Sequence, residues 1–254
     1  MRLDLYLFQN GYVKSRQRAK TLIEEGLVKV NGIVVRKPAF DMVDGNVDVF
    51  DDCPYVSRGG LKLEGILNIT GVDVREKICI DIGASTGGFT HCLLLRGAKK
   101  VYAIDSGTNQ LAEELKNDIR VVSIENFNAR NLSIEDIGEM ADVITIDVSF
   151  ISQTLILPCI RQLLKDDGVF FSLIKPQFEV GKALVGKGGI VKDKKARLMA
   201  ANSVIACAAQ LGLVCNMFLK SPIQGGDGNV EYLASFSKRG CGVSEEYRKK
   251  IVFE

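Results

Sequence analysis

The stretch that most constrains this chain is Asp81-Ile82-Gly83-Ala84-Ser85-Thr86-Gly87-Gly88-Phe89-Thr90. It follows the apolar run Ile78-Cys79-Ile80 and leads into Thr90-His91-Cys92-Leu93-Leu94-Leu95. The pattern predicts a buried strand that ends in a glycine turn and opens a helix. Glycines reach positive φ and let a ligand approach the backbone, while the first turn of the new helix offers unpaired N–H groups. That is the grammar of a nucleotide-binding crevice, and an ordinary βα connection carries similar letters, so the rest of the chain has to decide.

From Ile78 onward strands and helices alternate. Strands are predicted over 79–82, 101–104, 120–124, 143–146, 169–174, 214–218 and 230–236, with helices around Phe89, Leu111, Ser152 and Leu198. The fold class is therefore α/β, a Rossmann-like doubly wound sheet. Asp81, Asp105, Asn126, Asp147 and Lys175 end successive strands, and in such sheets ligands bind beyond the carboxyl ends. Asp105 follows Asp81 by 24 residues, close to the offset of about 20 at which an acidic side chain meets ribose hydroxyls. The glycine pattern, however, is not G-x-G-x-x-G, and Asp81 would repel a pyrophosphate. A cationic adenosine ligand without phosphates suits it better, and S-adenosylmethionine is the common one. Its amino group and sulfonium would meet Asp81 and the glycine backbone, and its ribose Asp105. The candidate cofactor-binding set is Asp81, Gly83, Ala84, Ser85, Gly87, Gly88, Phe89, Thr90, Asp105, Asn126, Asn128 and Asp147.

Composition removes several other classes. The 254 residues carry a net charge of only +2, so any nucleic-acid contact must come from a local patch. The seven cysteines are odd in number, never spaced C-x-x-C and mostly in apolar company, which points to a reducing compartment. One histidine, His91, leaves no imidazole pair for a metal and little support for a Ser-His-Asp triad. No export signal is visible at the start, where Arg2 and Asp4 interrupt. The uncharged run 198–219 is long enough to span a membrane, but Asn202, Ser203, Gln210 and Asn216 interrupt it and Gly212 divides it into a helix and a strand. The expected location is the cytoplasm, with no membrane and no metal as partner.

Residues 1–53 follow a different pattern. Leu3, Leu7 and Phe8 lie at helical spacing before Gly11; Ser15 can cap a second helix whose inner face is Ala19, Leu22 and Ile23, stopped by Gly26. Val28-Lys29-Val30, Asn31-Gly32 and Ile33-Val34-Val35 then predict a hairpin with a type I′ turn, and a return strand follows near Asn46 to Phe50. Up to Phe40 eight basic residues face three acidic ones. Basic runs of this kind are commonly solvated helix faces, but the order of elements resembles the alpha-L, or S-four-type, RNA-binding domain. The resemblance implies docking on structured RNA, with Lys14, Arg16, Arg18, Lys20 and Arg58 as candidate contacts. A boundary is expected near Asp51-Asp52-Cys53-Pro54, with 54–61 as linker and 62–254 as the second domain.

Nearly the whole chain is similar to the TlyA family of ribosomal-RNA ribose 2′-O-methyltransferases, long called hemolysins. The residues that carry this are Tyr55-Val56-Ser57-Arg58-Gly59-Gly60-Leu61-Lys62-Leu63, the glycine turn, Asp147-Val148-Ser149-Phe150-Ile151-Ser152, Leu173-Ile174-Lys175-Pro176-Gln177-Phe178-Glu179, 186–193 and Gly228-Asn229-Val230-Glu231-Tyr232-Leu233. The second domain also resembles FtsJ-type ribose methyltransferases, whose Lys-Asp-Lys-Glu tetrad maps onto Lys62, Asp147, Lys175 and Glu231. The resemblance implies S-adenosylmethionine as donor and ribosomal RNA or ribosomal subunits as partner. Ser106, Phe127 and Gln153 depart from the family's usual residues.

Methyl transfer to a ribose hydroxyl needs a positioned oxygen and a group that accepts its proton. A lysine accepts only as the neutral amine, a form favoured by burial and by a second ammonium. Lys62 and Lys175 are expected to form such a like-charged pair, oriented by Asp147 and Glu231, with Lys175 nearest the hydroxyl. Amino-group methylation would want Asn-Pro-Pro-aromatic where Asp147-Val148-Ser149-Phe150 stands. The Pro-Cys of pyrimidine carbon methylation occurs only at Pro158-Cys159, in helix territory, so Cys159 is expected in the core. Two other classes stay open: a membrane-active hemolysin, and a non-catalytic RNA-binding protein that keeps the fold.

Overall fold

The computed structural model describes residues 1–13, 15–51, 53–225 and 228–254, with the backbone alone at Gln17 and Glu25. The candidate contact Lys14 and the boundary residue Asp52 lie outside the described residues. The chain divides into two compact units, Met1–Ser57 and Arg58–Glu254.

The smaller unit is built as its pattern requires. Helix α1 (Leu3–Gln9) buries Leu3 and Leu7, and α2 (Arg16–Glu25) buries Ala19, Leu22 and Ile23 completely. Ser15 caps α2 by accepting the Arg18 N–H at 3.1 Å, and Gly26 closes it in the left-handed region at φ 78°. Strands β1 (Val28–Val30) and β2 (Ile33–Val34) form the hairpin across Asn31 and Gly32, both at positive φ, and β3 (Val47–Val49) pairs antiparallel on the other side of β1.

In the larger unit, helix α3 (Gly59–Thr70) precedes β4 (Ile78–Ile82) and α4 (Gly88–Leu95). Residues 59–61, expected in the linker, are thus the first turn of α3, because Gly60 is buried within the unit and no proline or cap stops the helix there. The chain continues through β5 (Lys100–Ile104), α5 (Glu113–Lys116), β6 (Val121–Ile124), α6 (Ile134–Ile137), β7 (Ala141–Ile146), α7 (Leu157–Leu163) and β8 (Leu164–Ile174). Then come α8 (Pro176–Glu179), α9 (Lys194–Gln210), β9 (Val214–Lys220), β10 (Tyr232–Ser237) and α10 (Glu245–Phe253). The charge-free run 198–219 is the body of α9 and most of β9, and among the described residues no helix is long and apolar enough to cross a membrane.

The seven-stranded sheet has the order β6-β5-β4-β7-β8-β10-β9. The first five strands in that order run parallel; β10 is antiparallel to both β8 and β9. Two consequences position the site. The order reverses direction between β4 and β7, which opens a crevice beyond their carboxyl ends. And because β10 runs the other way, its amino-terminal end lies at that same edge of the sheet.

Candidate active site

At the reversal, Gly83 leaves β4 at φ 82°, and a Cβ built there would lie 2.3 Å from the Asp147 carbonyl oxygen. Only glycine fits, because the β7 exit crosses directly over it; the Asp147 N–H donates to the Ile82 carbonyl at 2.9 Å. Above this crossing lies a cavity of about 370 Å³ lined by Gly83, Ser85, Asp105, Asn128 and Asp147, all in the expected set. Ser106, Gly107, Gln110, Phe127, Ala129 and Val148 line it as well, with Ile82, Ile104, Ser149, Phe150, Ile151 and Ile156. Val148, Ser149, Phe150 and Ile151 belong to the stretch already singled out after Asp147, whereas Ile104, Gly107, Gln110, Ala129 and Ile156 carry no motif; strand periodicity alone could have placed Ile104.

Asp105 accepts the Ser85 N–H on one oxygen and the Gly107 N–H on the other, each at 2.7 Å. Fixed in this way, its remaining lone pairs can take two vicinal hydroxyls. The rim therefore carries two carboxylates, Asp105 and Asp147, over apolar walls that suit a flat base. The size, the apolar sandwich and the negative rim fit a cationic adenosine donor.

Asp81 departs from expectation. Its side chain is fully buried, accepting Thr90 Oγ1 at 2.7 Å and Thr145 Oγ1 at 2.9 Å, and it does not line the cavity. Asp81 is the penultimate residue of β4, where Thr90 of α4 and Thr145 of β7 donate to its two oxygens inside the unit. Burial, partly offset by the two threonine hydroxyls, pushes its carboxyl up to about 6. Ala84, Gly87, Gly88, Phe89 and Thr90 are also absent from the lining; they form the turn and the buried start of α4. Gly87 sits at φ 95°, in the region that favours glycine, and a Cβ there would also displace the Leu115 side chain, whose Cδ1 would lie 2.2 Å away. Asn126 is exposed at φ 55° and turns away, leaving Phe127 and Asn128 at the wall.

The tetrad residues come from four elements. Lys175 Nζ lies 2.6 Å from Asp147 Oδ1 and donates to Ser149 Oγ at 2.9 Å, so β8 and β7 meet at the cavity wall. Ile174 pairs with Tyr232, so Lys175 and Glu231 leave the ladder as neighbours. Lys62, on the buried stripe of α3 with Ile66, donates to Glu231 Oε2 at 2.5 Å, and only 8% of Lys62 and 3% of Glu231 are exposed. Each lysine thus has its own carboxylate, and the expected like-charged pair is realised as two ion pairs. Gly225 holds the glutamate from behind: a Cβ there would meet Glu231 Oε1 at 2.5 Å.

One exposed ring and a buried network complete the surroundings. Phe150 sits at φ 64°, strained for a bulky residue, with its ring 92% exposed and 5.1 Å from that of Phe178. Gln153, where the family usually has leucine, is buried and fully used: its amide donates to the Leu173 carbonyl and its carbonyl accepts Ser172 Oγ. Its backbone N–H and Ser152 Oγ both donate to Glu179, a carboxyl raised by burial. This network ties the loop carrying Ser149 and Phe150 to the end of β8. Cys159 is in the core as expected, its thiol pushed up to about 11 by burial, which leaves it unreactive.

Among the candidate RNA contacts, Arg16 donates to Asp4 at 2.9 Å and Arg18 forms a two-pronged pair with Asp51. Lys20 is half-buried on α2, and Arg58 is half-buried at the start of α3.

Residues 55–238 match the FtsJ-like methyltransferase family and residues 1–46 match the S4 domain. Hemolysin A of Brachyspira hyodysenteriae is 48% identical over 93% of this chain and 99% of its own length. The 16S/23S rRNA (cytidine-2′-O)-methyltransferase TlyA of Mycobacterium tuberculosis is 43% identical over 91% of this chain and 87% of its own. A solved structure named for a hemolysin of Streptococcus thermophilus superposes with a TM-score of 0.81 at 39% identity, covering 100% of this chain and 94% of that one. With more than two thirds of its length matched by one family and more than nine tenths by these relatives, the chain belongs to the FtsJ-like methyltransferases, S-adenosylmethionine-dependent enzymes, and carries an S4 domain at its amino end.

Proposed function

We propose that this enzyme methylates ribose 2′-hydroxyls of ribosomal RNA through Lys62, Asp147, Lys175 and Glu231, with the S4 unit contributing to the grip on RNA. The observation that carries this reading is a lysine–carboxylate pair, Lys175 with the cavity-lining Asp147, beside a second, almost wholly buried pair, Lys62 with Glu231, where β8 and β10 leave the ladder. A buried ion pair is a poor stabiliser, since desolvation offsets most of its attraction, so its presence at this edge calls for a functional cause.

S-adenosylmethionine, when bound, supplies an electrophilic methyl group. Asp105 would hold its ribose hydroxyls, the Ile104 and Phe127 side its base, and Asp147 the cationic end. For the acceptor, Lys175 is the amine held against the cavity-lining Asp147 and Ser149. As an ammonium it orients the hydroxyl by donating to it; as the amine it takes the hydroxyl proton, and Asp147 and Ser149 hold the nitrogen in place meanwhile. Lys62 and Glu231, paired with each other, fix the neighbouring end of β10 beside Lys175. The exposed Phe150 ring offers a face on which an unstacked base can lie.

The names of the relatives divide between hemolysin and methyltransferase, and the tetrad favours the second. A lysin or a passive RNA binder has no use for four ionisable groups gathered from α3, β7, β8 and the β10 entry. Incubation with labelled donor and unmethylated ribosomal subunits should yield alkali-resistant ribose positions. Label recovered only in bases or protein would overturn the assignment.

A further inference from the structure

Between α8 and the first turns of α9 the chain is strongly cationic. Residues 181–197 hold Lys182, Lys187, Lys192, Lys194, Lys195 and Arg197 against Asp193 alone, a net of +5 in a protein whose total is +2. Everything else therefore sums to a negative charge. Asp193 does not neutralise a neighbour: its carboxylate caps α9 by accepting the Lys195 N–H at 2.9 Å. Lys194 and Arg197 donate to the carbonyls of Phe253 and Val191, while Lys182, Lys187, Lys192 and Lys195 stand exposed.

A solvated charge run needs no fixed backbone, and this one has it. Val191 is fully buried and packs with Val180, Ala196 and Ala200 in a small core of its own. Its N–H donates to Asn229 Oδ1 at 3.0 Å, and Asn229 Nδ2 donates to the Gly189 carbonyl at 2.9 Å. Asn229 is 1% exposed and lies two residues before Glu231. A buried amide costs desolvation unless satisfied, and here the cationic segment supplies its partners. At the other end the segment follows α8, which begins immediately after Lys175. It is thus anchored next to both catalytic pairs.

We infer that 181–195 is an RNA-phosphate contact built into the methyltransferase unit, with Lys182, Lys187, Lys192 and Lys195 taking the phosphates that flank the target ribose. This rests on the ribose-methylation reading. Covalent continuity puts those phosphates beside any hydroxyl presented to Lys175, and a single-sign basic surface without aromatic residues suits backbone and not base contact.

The test compares the wild type, a variant with all four lysines changed to Gln, and one with all four changed to Arg, on unmethylated ribosomal subunits at several salt concentrations. The Gln variant should show a raised KM for RNA and a shallower salt dependence, by up to about 0.7–0.9 log unit per lost contact. Its donor affinity by calorimetry and its thermal midpoint should match the wild type. The Arg variant should keep the wild-type KM and slope. A Gln variant that methylates with unchanged KM and slope overturns the inference alone; so does a loss that Arg fails to restore in a protein that still binds donor. If the wild type transfers no methyl to ribose, the underlying reading falls and this one with it.

Discussion

The smaller unit and the segment 181–197 look equally basic along the sequence, yet they use their cations differently. Taken whole, residues 1–57 hold eight basic and eight acidic residues. The structure commits three of the arginines: Arg2 and Arg16 converge on the buried Asp4, and Arg18 closes on Asp51. Burial works against the Asp4 charge, but hydrogen bonds from Arg2 and Arg16 outweigh it and hold its carboxyl below the usual range. In 181–197 only Asp193 is available, and its carboxylate is taken by a backbone N–H. A local count of lysines and arginines therefore measures available charge only where the compensating acids are counted too. In the S4 unit these come from residues 4 and 51, one of them beyond the stretch in which the excess was tallied.

The tetrad is where commitment of a cation to an anion has the largest expected effect. Lys175→Ala should lower kcat by about 10²–10⁴ while donor affinity by calorimetry stays near wild type. Lys175→Arg sharpens the point, since a guanidinium keeps the charge but does not deprotonate; retained turnover would mean that charge alone is supplied there. Lys62 answers a different question. Removing one member of a buried pair costs roughly 3–5 kcal/mol, so Lys62→Met should lower the denaturation midpoint sharply. Lys62→Met/Glu231→Leu should recover most of that loss and no activity. A stable double variant that still methylates would remove the pair from the chemistry.

How much was legible follows the same division between pattern and partnership. Strand positions and the crevice were readable because burial on both faces writes Ile, Val and Leu runs into the parallel strands, and because the Asp147 and Lys175 turns end them in charge. The hairpin at Asn31-Gly32 and the Ser15 cap were readable because one residue type satisfies one backbone need. The role of Asp81 was not, since it depends on hydroxyl partners that come from Thr90 and, 64 residues away, Thr145. Nor was the exposure of Phe150, which depends on a strained φ that no side chain announces.

Asp81 also supplies a pH test. Its carboxyl titrates near 3.8 in the unfolded chain and near 6 in the fold. Between those values the folded protein holds the proton more tightly, so stability falls as pH rises through the window and the full penalty is present above about 6. Asp81→Asn removes it. The variant should gain on the wild type in denaturation midpoint as pH goes from 4 to 7, by up to about 3 kcal/mol, and bind donor almost as well. A midpoint difference flat with pH, joined to lost donor binding, would return Asp81 to the ligand.

The smallest effect concerns Arg18, and it bears most directly on the comparison of the two basic regions. If Arg18 is committed to Asp51, Arg18→Gln should lower the stability of the S4 unit by about 0.5–1 kcal/mol and leave the salt dependence of RNA binding unchanged. Lys20→Gln on the same helix should flatten that dependence by about 0.7–0.9 log unit if it meets a phosphate. Asp51→Asn runs the test in the opposite direction. It releases the guanidinium from its carboxylate, so RNA affinity at low salt should rise and the slope should steepen by about one contact. Should Arg18→Gln flatten the slope as much as Lys20→Gln, the pair with Asp51 opens on binding, and the S4 unit's arginines would have to be counted with the exposed lysines of 181–195 as part of the grip.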